Sequence, residues 1–206
     1  MYSRFIKRII DIVLSGVGII ILAVPMLLVA LAIKIDDPGP VFFRQKRIAM
    51  DKNGEKAFFK IFKYRSMKMS TPKDMPTHLL ENPEQYITKV GGFLRKTSLD
   101  ELPQIFNIFF GQMSIIGPRP ALWNQDDLYE ERAKYGANSV KPGLTGWAQI
   151  NGRDELEIDI KAKLDGEYVE KMSLLFDIKC FFGTITSVLK SDGVVEGGTG
   201  TINKQK

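Results

Sequence analysis

The chain has 206 residues, 44% of them hydrophobic, and a formal net charge of +5. This length fits one domain with a sizeable core, and the basic balance favours anionic partners such as nucleic acid, phosphorylated small molecules or anionic lipid. Cys180 and His78 are each the single residue of their type, which excludes an internal disulfide and a cysteine–histidine metal site. We predict that Cys180 is a small apolar filler and that His78 lies in a loop.

The charges are not spread evenly along the chain. Residues 44–68 carry nine lysines and arginines against two acids, and residues 154–170 carry seven acids against two lysines. Each segment can be a solvated face of the domain. The uneven charge can also orient the protein on an anionic surface, so anionic membrane lipid is a predicted partner.

Residues 12–33 form an uncharged apolar segment. As a straight helix it would reach about 33 Å, which is enough to span a bilayer. A cleaved signal peptide is a rival interpretation, but the apolar run is longer than such peptides use. Basic residues flank both ends, and positive flanks favour the cytoplasmic side. Pro25, near the middle, removes a backbone hydrogen bond and clashes with the carbonyl of Ile21. These features predict a re-entrant membrane helix bent at Pro25, with both ends cytoplasmic.

Three charged residues precede the apolar segment. Lys7 and Arg8 stand four and three residues before Asp11, a spacing that lets the three side chains pair on one helix face. Anchoring at the lipid headgroups is the alternative. The sequence "DDPGP" at residues 36–40 ends the helix because proline cannot continue it. We predict a membrane helix over residues 1–36, a main domain over 37–190 and a mobile tail over 191–206.

The middle of the chain alternates between strand and helix patterns. Residues 41–48 and 56–67 mix aromatic, β-branched and basic residues, which predicts short strands. Residues 70–88 are rich in proline and predict a loop. Residues 91–112 predict a helix interrupted by Pro103. Its apolar stripe faces either a protein core or the membrane interface. The stripe consists of Leu102, Ile105, Phe106, Phe109 and Phe110.

Residues 113–121 and 140–153 are rich in glycine and proline, and we expect no regular elements there. Arg119 and Arg153 lie in these segments beside glycine or proline, where a guanidinium group and exposed N–H groups suit phosphate. Residues 174–190 predict a second amphipathic helix with broad apolar coverage. The predicted fold class is therefore mixed α/β and helix-dominated, with a re-entrant membrane helix and amphipathic interfacial helices.

Asp100 and Glu101 stand directly before the apolar stripe. Neighbouring residues on a helix point about 100° apart, so the two carboxylates cannot face each other across a sugar as paired glycosidase acids do. One acid could attack while the other binds a metal or orients a water. Together with arginines that bind phosphate, a nucleophilic acid and a metal-binding acid suit phosphoryl transfer. The candidate arginines are Arg95, Arg119 and Arg153. The alternative is purely structural: Ser98 could cap a helix, with Glu101 completing a capping box.

Several motifs in a fixed order carry a resemblance to a known family. "VFFRQKRI…FKYRSM", "RKTSLDELPQIFNIFFGQMSIIGPRP" and "KPGLTGWAQINGR" follow a Lys-Arg-x-x-Asp membrane segment. Over roughly residues 4–190 the chain resembles the monotopic phosphoglycosyl transferases, bacterial sugar transferases that load a sugar phosphate onto polyprenyl phosphate. The resemblance implies that residues 37–190 form the catalytic domain, and that the protein lies on the cytoplasmic face of the bacterial inner membrane.

The resemblance also implies a mechanism. Asp100 would attack the β-phosphorus of a UDP-sugar, release UMP and carry a covalent phosphosugar until polyprenyl (undecaprenyl) phosphate accepts it. Glu101, together with Asp100, would bind Mg²⁺. Basic residues would hold the phosphates and the nucleotide: Lys63, Arg65, Arg95, Arg119 and Arg153. Such a reaction is the first membrane step of glycoconjugate or exopolysaccharide assembly.

This chain departs from the family pattern at three positions. Val24 replaces a serine that is common before the membrane proline, Gln112 replaces a frequent aspartate, and Ala49 replaces a frequent glycine. Larger family members add N-terminal transmembrane helices and another domain, so we expect this chain to be the minimal catalytic unit. Two alternatives stay open: a non-catalytic membrane-anchored module that binds lipid phosphate, and a nucleic-acid binder using residues 44–68. The apolar segment at residues 12–33 argues against the nucleic-acid binder, so we predict no nucleic-acid partner. Self-association into a homo-oligomer is left open.

Overall fold

The computed structural model describes residues 2–71, 82–152 and 156–190. The predictions for His78, for Arg153 and for the tail over residues 191–206 lie outside the described residues. Within them, the fold is mixed α/β and dominated by helices, as predicted.

One long helix, α1 (Lys7–Asp36), follows a short π-helical turn (Tyr2–Ile6). Pro25 lies inside α1 and does not end it. By length and composition α1 is the one helix among the described residues that could cross a membrane. It buries only a few side chains and exposes most of its apolar ones. The most exposed are Ile20, Ile21, Val24, Leu28 and Ile35.

Both ends of α1 are hydrogen-bonded to the rest of the protein. Near the N-terminal end, buried Asp11 accepts hydrogen bonds from the Ser114 hydroxyl and the Ile115 N–H, each at 3.0 Å. At the C-terminal end, Asp36 accepts from the Val90 N–H at 2.8 Å. Between them, the Tyr64 hydroxyl donates to the Met26 carbonyl at 2.9 Å. The helix therefore lies along the domain over most of its length.

The predicted pairing of Lys7, Arg8 and Asp11 on one helix face is wrong. Lys7 Nζ instead lies 2.5 Å from a carboxylate oxygen of Asp177. Arg8 donates to the carbonyl oxygens of Ile108 and Phe109, each at 2.7 Å. Each of the three side chains has a partner distant in the chain, because the fold brings these partners within hydrogen-bond distance and an exposed ion pair on one helix face contributes little in comparison.

Two strands after α1 form an antiparallel hairpin: β1 (Phe42–Ile48) and β2 (Phe58–Tyr64). The prediction of short strands is confirmed here. Phe59 and Ile61 are buried while Phe58 and Lys60 are exposed, which is the alternation expected of a strand with one covered face.

The predicted helix over residues 91–112 is wrong in its centre. The structure has α2 (Lys89–Lys96), a 3₁₀ turn (Leu99–Glu101) and α3 (Gln104–Phe109). The chain leaves the helical path at Ser98, whose φ of 57° is left-handed. The apolar stripe faces a core for three of its members, which pack against α1, whereas Phe110 is 69% exposed. Those three are Leu102, Ile105 and Phe106.

The glycine-rich segments are more regular than predicted. They contain the parallel strands β3 (Ser114–Ile116) and β4 (Gly143–Thr145). A Cβ at Gly143 would lie 2.1 Å from the Gly117 nitrogen, so these glycines allow the two backbones to meet.

The remaining helices are α4 (Asp126–Ala133), α5 (Trp147–Ile150), α6 (Ile158–Lys171) and α7 (Leu174–Lys190). The prediction of α7 is confirmed. So is that of Cys180 as a filler, because this free cysteine is buried against Ile116 and Tyr168.

Candidate active site

The acid pair lies on the 3₁₀ turn between α2 and α3, where three parts of the chain meet. Glu101 Oε1 accepts from Lys63 Nζ and from Arg119 Nη2, each at 2.7 Å, and its Oε2 accepts from Arg119 Nη1 at 3.3 Å. Asp100 Oδ2 lies 3.8 Å from Lys63 Nζ. Among the described residues Asp100 accepts no hydrogen bond. Glu101 is thus paired with two cations at hydrogen-bond distance, whereas Asp100 lies near one cation without a hydrogen bond.

The positions of the two cations follow from the fold. Lys63 is the last residue but one of β2, and Arg119 follows β3 by three residues. Asn107 joins α3 to β2: its amide oxygen accepts from the Phe62 N–H and its amide nitrogen donates to the Lys60 carbonyl, each at 2.9 Å. Its amide nitrogen also donates to Gln112, at the position that departs from the family pattern.

Sequence reasoning missed Asn107, although an asparagine within an otherwise apolar run is an unusual residue choice and could have indicated it. The structure shows that Asn107 is fully buried, where its amide needs hydrogen-bond partners.

Burial and charge separate the two acids further. Burial raises the pKa of Asp100 above its ordinary value; Lys63 opposes this shift, and the charge of Glu101 adds to it. Burial also acts to raise the pKa of Glu101, but the charges of Arg119 and Lys63 outweigh it and hold that pKa well below its usual range. The pKa of Asp100 therefore lies above that of Glu101, so Asp100 is the more basic of the two carboxylates, while the partners of Glu101 stabilise its charged form.

The capping-box alternative is wrong. Ser98 makes no side-chain hydrogen bond at the start of the 3₁₀ turn, and the Glu101 carboxylate is bound by Lys63 and Arg119 instead of a backbone N–H. The acid pair is held by side chains from other elements.

The structure brings most of the predicted basic residues together. Lys63 and Arg119 contact the acid pair, and the charge of Arg95 acts on Asp100. Arg65 has another place: its guanidinium pairs with the carboxylate and the carbonyl oxygen of Asp37, just after α1. This pairing fixes the Arg65 side chain at the end of α1, and its role in phosphate binding stays a prediction.

The acid pair is the candidate donor set for Mg²⁺. Among the described residues no group of three or more histidines, cysteines, aspartates or glutamates could hold a metal ion. Mg²⁺ is, however, commonly bound by one or two carboxylates together with substrate phosphates. Asp100 and Glu101 fit such a shared site, because Asp100 keeps its oxygens free of hydrogen bonds from the described residues.

Two partly buried carboxylates with unequal partners lie beside a cluster of basic side chains, next to the apolar helix α3. This geometry suits the class of proteins that transfer a phosphoryl group. Comparison with known proteins agrees. The family model described as "Bacterial sugar transferase" matches residues 2–191, and the chain belongs to this family.

The chain is also similar to individual proteins of this family whose names state an activity or a pathway. The chain is 42% identical over 190 residues to a UDP-glucose:undecaprenyl-phosphate glucose-1-phosphate transferase of Escherichia coli K12, a match that covers 89% of this chain and 40% of that protein. It is 36% identical over 201 residues to the exopolysaccharide production protein ExoY of Sinorhizobium fredii, covering 91% of this chain and 87% of that one. The uncharacterized sugar transferase EpsL of Bacillus subtilis is 36% identical over 189 residues, with 92% and 90% covered. The chain thus spans about two fifths of the E. coli relative.

Proposed function

We propose that this protein transfers a sugar 1-phosphate from a UDP-sugar to polyprenyl phosphate, through a covalent phosphosugar on Asp100. The observation that carries the proposal is the unequal engagement of the two acids. Glu101 is bound by two cations, whereas Asp100 accepts no hydrogen bond from the described residues and is the more basic carboxylate. The names of the relatives support the substrate classes.

The first step forms a bond between a carboxylate oxygen of Asp100 and the β-phosphorus of the UDP-sugar. The bond from that phosphorus to the oxygen bridging the two phosphates breaks, and UMP leaves with the electron pair. A phosphate oxygen of polyprenyl phosphate then attacks the same phosphorus, and the Asp100 carboxylate is released. One transfer between two large substrates becomes two in-line steps.

The basic side chains bind and orient the diphosphate. Arg119 is 36% exposed at its side chain, so its guanidinium can reach a substrate while it still contacts Glu101. Lys63 lies between the two acids and compensates charge when the nucleophile approaches an anionic phosphorus. Bound Mg²⁺, held by Glu101 and Asp100, would supply further charge neutralisation of the diphosphate.

A re-entrant α1 completes the proposal. A 30-residue helix is about 45 Å long, and a spanning helix would place its ends on opposite sides of the membrane. Yet Asp11 and Asp36, near the two ends, bond to the same domain. This supports insertion from one side, with the exposed apolar face in lipid and the acid pair at the interface. The cytoplasmic face of a bacterial inner membrane suits these substrates. Anionic lipid binding and a homo-oligomer stay predictions.

The test is a panel of UDP-sugars with and without a short polyprenyl phosphate, scored by UMP release. Without acceptor, the protein should release up to one equivalent of UMP and gain the mass of a phosphosugar on the peptide that contains Asp100. Asp100→Asn should abolish both, while the exposed Asp126→Asn should not. Glu101→Gln should slow the reaction and leave Asp100 as the modified residue. Turnover without an adduct, or an adduct on Glu101, would contradict this mechanism, and no UMP release from any sugar would favour the non-catalytic module.

A further inference from the structure

A buried ion pair lies outside the groups used above. Arg132 on α4 and Asp165 on α6 have side chains only 5% and 1% exposed. Arg132 Nε and Nη2 donate to the same oxygen, Asp165 Oδ2, at 2.8 and 2.6 Å. Neither residue touches Asp100 or Glu101 through any contact in the described structure. The pair is therefore a separate feature that needs its own explanation.

Arg132 also reaches the candidate active site through the backbone. Its Nη2 donates to the carbonyl oxygen of Arg119 at 3.0 Å, and the Arg119 guanidinium binds Glu101. A single planar guanidinium thus ties α4, α6 and the segment after β3 together. Because its donors are fixed in one plane, orienting Arg132 on Asp165 also determines where the Arg119 carbonyl can lie.

Stability alone is a weak reason for this pair. Removing two charges from water is costly, and replacing a buried ion pair by apolar residues of similar volume often leaves stability unchanged or higher. Burial indeed raises the pKa of Asp165, and the charge and hydrogen bonding of Arg132, followed by the charge of Lys161, oppose this shift. What apolar residues cannot provide is a hydrogen bond to the Arg119 carbonyl.

We propose that Arg132 and Asp165 are positioning residues that hold the backbone of Arg119, and so aim its guanidinium at the diphosphate of the substrate. Asp165 orients Arg132, and Arg132 holds the Arg119 carbonyl. Of these three residues, Arg119 is the one that contacts the substrate. The inference rests on the proposed function for the identity of the substrate. The hydrogen-bonded chain from α6 to Glu101 stands without it.

Arg132→Lys is the most direct test, because lysine keeps a charge for Asp165 but cannot bond Asp165 and the Arg119 carbonyl in one plane. The melting temperature should change little, whereas kcat/KM for the UDP-sugar should fall about tenfold or more, since small misplacements of a positioning group cost up to about 100-fold. UDP should also bind more weakly in calorimetry. Lys134→Met, on an exposed pair at the end of α4, is the matched control and should leave all three unchanged.

Two further variants separate positioning from folding. Arg132→Met with Asp165→Val removes both charges, and should keep the fold while losing activity to a similar extent. In an Arg119→Lys background, Arg132→Lys should add little further loss, because both changes act through the same guanidinium. A purely structural pair would instead give additive losses that follow the melting temperature.

Hydrogen exchange distinguishes this inference from the proposed function. The amides of Gly117, Arg119, Ala121 and Leu122 should exchange faster in Arg132→Lys than in the unchanged protein, whether or not any UDP-sugar is turned over. If the unchanged protein turns over no UDP-sugar while this acceleration is present, the proposed function fails and the positioning chain stands. Unchanged exchange, or full activity in Arg132→Lys, overturns the inference.

Discussion

Lys63 offers the sharpest test of how the acid pair works. Its ammonium lies 2.7 Å from Glu101 Oε1 and 3.8 Å from Asp100 Oδ2, and its side chain is only 18% exposed. At 3.8 Å and an effective dielectric constant of about 20, a unit charge interacts with Asp100 by about 4 kcal/mol. Lys63→Met removes this attraction and also leaves the charge of Glu101 less compensated. Both changes disfavour the charged form of Asp100 and raise its pKa.

The assay is the pH dependence of kcat/KM, which reports ionisations of the free enzyme. In the proposed mechanism Asp100 attacks as a carboxylate, so activity should be lost as pH falls through its pKa. A raised pKa in Lys63→Met must therefore move the acid limb to higher pH. The maximum rate should fall as well, because a phosphate-binding charge is lost, but the position of the limb is independent of that loss.

The matched control is Lys60→Met on the same strand. Lys60 is exposed and lies opposite Lys46 in the hairpin, so the change removes the same charge from β2. Its acid limb should coincide with that of the unchanged protein. If the limb also stays in place in Lys63→Met, then either Asp100 is not the group that titrates or Lys63 does not govern its ionisation, and the division of roles between the two acids is refuted.

Two other predictions concern the attachment and topology of α1. Asp11→Ala leaves two donors on β3 unpaired, the buried Ser114 hydroxyl and the partly buried Ile115 N–H, and should cost about 3 kcal/mol. The loss should appear as a melting temperature several degrees lower in detergent, and exposed Glu130→Ala should not reproduce it. Single cysteines at Ser3 and Lys52, in a Cys180→Ala background, should both resist an impermeant reagent added from the periplasm. Labelling of one and protection of the other would mean that α1 spans the membrane.

The sequence by itself was sufficient for features that depend on neighbouring residues. An uncharged run of 22 residues predicts α1, alternation at Phe59 and Ile61 predicts a strand, and apolar coverage predicts α7. The order of the motifs also indicated the family, because each motif is a short local string. Local signals of this kind need no knowledge of what lies elsewhere in the fold.

The tertiary structure alone decided how charges pair. Lys63 and Arg65 are two residues apart on one basic segment, yet one binds Glu101 and the other binds Asp37. The glycine-rich segments became strands only because β3 and β4 could meet across 26 intervening residues, from 117 to 142. Arg132 and Asp165 likewise pair across 33 positions. A charged side chain in a buried site is stabilised by whichever oppositely charged partner the fold brings beside it. The position of that partner is set by packing, and the residues nearby in the chain do not predict it.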